Sequence, residues 1–160
     1  MKEFAGRPGA DRNEIFEQAA SEVGTSKQVV EKDFWVSLCL KLLFEADDFG
    51  DWLTFKGGTS LSKVYRLIER FSEDVDVSVA REHLQNDDTD LYKVSGARRE
   101  RALKALNKSC EDFVQNQVRS YLQEQLSSLL PDGSSWSVKV ASDDQMALVF
   151  EFPGENSNTR

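Results

Sequence analysis

The stretch "LTFKGGTSLSKVYRLIERFSEDVDVSV", Leu53 to Val79, limits what this chain can fold into more than any other part of it. A short apolar run closes on Gly57-Gly58, a helical pattern starts at Thr59, and an alternating run then carries Asp74 and Asp76. Glycine pairs cost conformational entropy. Like charges at close range repel unless a cation or hydrogen-bond donors offset them. A chain that places both within so short a span has something to hold there. The periods give a strand at about 52–56, a helix from Thr59 to about Arg70, and a strand over "DVDVSV". Two residues apart on a strand, Asp74 and Asp76 would project from one face of the sheet.

The rest of the sequence narrows the chemistry. With 160 residues the chain is long enough for one domain with a real core. A net charge of −8 argues against a general nucleic-acid coat but leaves room for a local basic groove. Cys39 and Cys110 lie far apart in apolar helical patterns, without CxxC spacing, and read as reduced buried thiols of a cytoplasmic protein. The single histidine, His83, leaves no zinc site and no histidine-based triad. The leader "MKEFAGRPGADRNE" has no apolar signal core, and the apolar run from Val36 to Phe44 is far too short to span a bilayer. Any catalysis therefore falls to carboxylates.

Residues 1–10 read as a loose leader. Asp11 is placed to cap a first helix ending at Gly24, and Thr25 or Ser26 to start a second, central helix through "VVEKDFWVSLCLKLLFEA". Residues 81–95 form a polar connection, and a long helix keeps one apolar face over about 96–129. "PDGSS" is a turn, followed by two strands, "WSVKVAS" and "MALVFEFP", which can pair across Asp143-Asp144.

Magnesium takes carboxylate oxygens together with substrate phosphates, so it is the natural companion of Asp74 and Asp76. Glu151, a charge between apolar neighbours on the last strand, would complete a three-carboxylate cluster for two metals if it shared their sheet. Gly57 and Gly58 let backbone approach a ligand, and the N–H groups at Thr59 and Ser60 favour phosphate. Lys63, Arg66 and Arg70 form a basic stripe opposite Leu61, Val64, Tyr65 and Ile68. Each piece has a plainer reading: a turn, a chance pair of aspartates, a solvated helix face, an outward residue on an edge strand. Order and spacing carry the argument. Two rivals fit worse. "GGTSLSK" lacks the second glycine of a Walker loop. A haloacid-dehalogenase-type phosphatase needs an apolar strand running into its first aspartate, where this chain has "RFSE", and Thr or Val where it has Ser78.

"VEKDFWV", "LTFKGGTSLSKVYRLIERFSEDVDVSV" and "VFEF" together closely resemble the AbiEii/AbiGii toxin family, most strongly over about 28–80, with no comparable likeness over 81–145. These are nucleotidyltransferases of the polymerase-beta-like superfamily, found as toxins of type IV toxin–antitoxin and abortive-infection systems. The resemblance implies that Gly57, Gly58, Thr59 and Ser60 grip the nucleotide phosphates with Lys63 nearby. It implies that Asp74 and Asp76 bind Mg2+ or Mn2+, and that Glu151 is the third carboxylate, helping to activate an acceptor hydroxyl. Arg70, Ser72 and "EKD" match family positions without an assigned role. The implied reaction moves a nucleoside monophosphate from an NTP to an acceptor, which in related toxins can be tRNA, and a cognate antitoxin is the implied partner.

The expected architecture is α+β, a polymerase-beta-like core with a small mixed sheet packed by helices. It forms one domain over 1–160, with a helical part at 11–46 and a catalytic core at 52–152. The resemblance further implies a C-terminal helical region beyond Glu151, so that the chain is an N-terminal portion. Two other readings stay open: a nucleotide- or partner-binding module of the same fold without turnover, and a metal-dependent phosphohydrolase.

Overall fold

The computed structural model describes residues 1–64, 74–84 and 91–154. The sequence-derived roles of Tyr65, Arg66, Ile68, Arg70 and Ser72 lie outside the described residues, as does the far end of the helix expected to reach Arg70.

Helix α2 (Gly9–Val23) ends where the sequence says it should, at Gly24 in the left-handed region with φ 69°. It starts two residues earlier than Asp11 because the Pro8 carbonyl accepts the Arg12 N–H at 3.1 Å. Ser26 caps α3 (Lys27–Phe44), its hydroxyl oxygen accepting the Val29 N–H at 3.3 Å. Helix α3 is the centre of the molecule. Trp35, Leu38 and Leu42 succeed one another at helical spacing and are almost wholly buried. Each such side chain contributes roughly 1.5–3 kcal/mol on leaving water.

The leader is not loose. Residues Lys2–Ala5 form a short helix, α1, with Ala5 fully buried and Phe4 edge-on to both Phe16 and Phe34. Arg12 ties it down: its buried guanidinium donates to the carbonyls of Ala5, at 3.0 Å, and of Arg7. The same group reaches the Pro153 carbonyl at 3.4 Å and lies 5.5 Å from the Trp35 ring centroid. Burial pulls the Arg12 pKa down, and the Glu31 charge pulls it back up.

Strand β1 (Leu53–Lys56) runs into helix α4 (Gly57–Lys63) and pairs antiparallel with β2 (Asp76–Val79), Leu53 facing Val79 and Lys56 facing Asp76. The long helix forms as α5 (Gly96–Asp112) and α6 (Arg119–Leu129), joined without a break by a π-helical segment, Phe113–Val118. The wider turn there carries the buried side chains of Phe113 and Val118. Strands β3 (Ser137–Val140) and β4 (Leu148–Glu151) make the expected hairpin.

The class is α+β, as the sequence indicates. The four described strands form two separate antiparallel pairs rather than one mixed sheet. Leu53 and Val79 from one pair, and Val138, Leu148 and Phe150 from the other, join a single hydrophobic core with α3 and α6. A cavity is lined by residues of both pairs.

Candidate active site

The cavity has a volume of about 710 Å³, a size that suits a small-molecule ligand. Its floor is apolar, with Trp35 from α3, Phe113 and Val118 from the π segment, and Phe150 and Phe152 from the hairpin. Trp35 stacks on Phe152 at 5.8 Å and meets Phe150 edge-on. Charges line it as well: Asp74 and Asp76, Lys56 and Lys32, and Asp144 from the β3–β4 loop.

Asp76 opens β2, and Asp74 stands two residues before it. Both are exposed and both line the cavity, together with Val75 and Val77, so the lining does not follow the alternation of a strand. Gly57 explains how the pair is accommodated. Its φ of +75° excludes most side chains, and a Cβ built there would overlap the Asp76 carboxylate. The Asp76 carboxylate therefore occupies the space that the glycine leaves open. Lys56, directly across the ladder from Asp76, brings a cation to the same place.

The hydroxyl side of the motif turns inward. Thr59 and Ser60 are buried, and the Thr59 Oγ1 donates to the Asp74 carbonyl, fastening α4 to the segment entering β2. Lys63 points to α3 rather than to the cavity. Its Nζ lies 2.6 Å from Asp33 Oδ1 and 2.8 Å from Ser37 Oγ. This gives Asp33 of "EKD" a visible task, the anchoring of α4 to the central helix.

Glu151 corrects the sequence reading most clearly. It is expected beside the aspartates, but among the described strands β4 pairs with β3 and not with β2. Strand alternation turns Phe150 and Phe152 into the cavity and Glu151 to the opposite, exposed face. There its carboxylate accepts from Ser137 Oγ and from Lys139 Nζ at 2.7 Å, and these bonds hold its pKa below the usual carboxylate range. Among the described residues no three His, Cys, Asp or Glu side chains come together as a metal cluster. Asp144 lines the cavity, with its Oδ1 accepting the Met146 N–H at 2.8 Å.

Sequence reasoning misses Lys56, Asp144 and the aromatic floor, and it flags Lys32 within "EKD" without giving it a role. Lys56 faces Asp76 through the β1–β2 register, which the sequence does not fix across the intervening helix. The thiols are free, half-buried rather than buried as the sequence suggests, and both line the cavity. Burial pushes the Cys39 thiol up to about 12. Burial raises Cys110 first, with Glu111 and Asp144 adding to the shift.

The cavity of this α+β domain brings an aspartate pair and two lysines together. Residues 41–159 match the model of the AbiEii nucleotidyl transferase toxin family of type IV toxin–antitoxin systems, and the chain belongs to that family. Its class is that of nucleotidyltransferase toxins, which act on a nucleotide substrate and have a cognate antitoxin. The matched range takes in residues 81–145, where the sequence showed no likeness, and leaves "VEKDFWV" outside. Nothing among curated proteins or solved structures matches the chain. Among the described residues no helix is long and apolar enough to cross a membrane.

Proposed function

We propose that the cavity binds a magnesium–nucleoside triphosphate for transfer of the nucleoside monophosphate to an RNA acceptor hydroxyl, tRNA being the first to test. The single observation that supports this most is that Asp74, Asp76 and Lys56 share one apolar-floored cavity. Two carboxylates suit magnesium, which keeps waters and substrate phosphates as its remaining ligands. Bound there, the metal would neutralise phosphate charge and activate the acceptor. In this reading Asp74 and Asp76 hold the metal, and Lys56 with Lys32 meets the phosphates. Gly57, which opens α4 with Gly58 beside it, leaves the space that Asp76 occupies. Thr59, Ser60 and Lys63 serve by fixing α4. The acceptor oxygen bonds to the α-phosphorus, the α–β bridging bond breaks, and pyrophosphate leaves while the acceptor proton passes to solvent. Residues 1–160 act as one domain, with the helical part at 11–46 supporting a core at 52–152, in a cytoplasmic setting.

The position of Glu151 favours a second reading, a nucleotide-binding module of this fold without turnover. Incubation with α-labelled NTPs, magnesium and total RNA separates them. Labelled RNA with released pyrophosphate supports transfer. Saturable NTP binding without label transfer supports the module, and free phosphate without an acceptor supports a phosphohydrolase.

A further inference from the structure

Helix α5 leaves the body of the protein bare. No residue of it is buried, and every residue from Ser95 to Arg101 is exposed. Its charge opposes that of the chain. Between Gly96 and Lys108 five basic side chains face a single acid, Glu100, a local net charge of +4 on a protein of net −8. Lys104 and Lys108 are already engaged, with Glu100 at 2.9 Å and with Asp112 at 3.0 Å. Arg98, Arg99 and Arg101 make no ion pair among the described residues. The first turn of α5 holds no acidic residue to favour the helix dipole, and arginines there oppose it. A local choice that works against helix stability marks a functional site.

We propose that Arg98, Arg99 and Arg101 form a docking surface for the phosphate backbone of RNA, distinct from the cavity. The surface favours RNA by its charge. Guanidinium forks match phosphate oxygens. From Ser95 to Arg101 it offers no apolar side chain larger than Ala97, so charge is what a partner meets there. Asp87, Asp88 and Asp90, just ahead in sequence, lie outside the described residues. The proposal deepens the transferase reading, because an acidic enzyme acting on RNA needs a local basic patch to hold its acceptor.

The test is fluorescence anisotropy of a labelled RNA hairpin and a labelled single-stranded RNA, titrated with the full chain and with R98A/R99A/R101A across a salt series. Thermal melting confirms that the variant folds, as expected for side chains outside the core. The variant is expected to bind RNA at least about tenfold more weakly, and the slope of log affinity on log salt to fall by about 2 to 3 for three lost phosphate contacts. Equal affinity and slope for the two proteins would overturn the proposal. So would sedimentation showing self-association of the chain that the variant loses while RNA binding stays, since the arginines would then dock a second acidic copy. Magnesium–NTP binding is measured alongside. Its absence with arginine-dependent RNA binding intact defeats the transferase reading alone, and its presence without arginine-dependent RNA binding defeats this proposal alone.

Discussion

Lys63 Nζ stands 2.6 Å from Asp33 Oδ1 and joins the glycine-motif helix to the central helix α3. The pair is partly exposed, so its energy is modest. A double-mutant cycle of Lys63→Met and Asp33→Asn in urea unfolding is expected to give a coupling of about 0.5–1 kcal/mol. NTP affinity is expected to change less in Lys63→Met than in Lys56→Met, because Lys56 lines the cavity and Lys63 does not.

Gly57→Ala is expected to damage the site directly. The backbone sits at φ +75°, and the new methyl would occupy the position of the Asp76 carboxylate. A loss of about 1–3 kcal/mol in stability is expected from the strained backbone alone. Magnesium-dependent NTP binding should fall with it. Thermal melting and NTP titration measure the two effects separately.

Arg12 is the buried link between the amino-terminal helices and the strand exit at Pro153. Arg12→Ala removes one buried and two part-buried hydrogen bonds, and urea unfolding should show a loss of about 1–3 kcal/mol. Arg12→Lys should recover little, since one ammonium cannot reproduce a fork that donates to three carbonyls and stacks on Trp35.

The cysteines give a pH signature. Cys39 has its pKa raised from 9.0 to about 12 by burial, so the unfolded chain ionises first as pH rises. Its contribution to stability is fully present below about pH 9 and is lost between there and about pH 12. A thiol reagent at mildly alkaline pH should leave Cys39 protected until the protein unfolds, as mass spectrometry of the labelled peptides can show.

Much of this was legible in the sequence, and the failures have physical causes. Gly24 and Ser26 mark helix ends because their chemistry is local: a left-handed glycine and a hydroxyl cap. The order of strand, helix and aspartate strand was readable for the same reason, although α4 begins at Gly57 rather than Thr59 and β2 at Asp76 rather than Asp74. Arg12 was not, because a buried arginine is defined by carbonyls five, seven and 141 residues away. The π segment was hidden because Phe113 and Val118 keep the apolar face through the wider turn. Glu151 was misplaced although a signal existed. Phe150 and Phe152 alternate with it, and the face holding two aromatic rings is the one that turns inward.

The central claim is that Asp74 and Asp76, without Glu151, hold a magnesium–triphosphate in the cavity. Calorimetric titration of the chain with each NTP, with and without magnesium, tests it most directly, with Asp76→Asn and Glu151→Gln as partners. Binding that requires magnesium, is lost in Asp76→Asn and persists in Glu151→Gln is the expected result. Binding indifferent to magnesium and to Asp76, or abolished by Glu151→Gln, would contradict the claim.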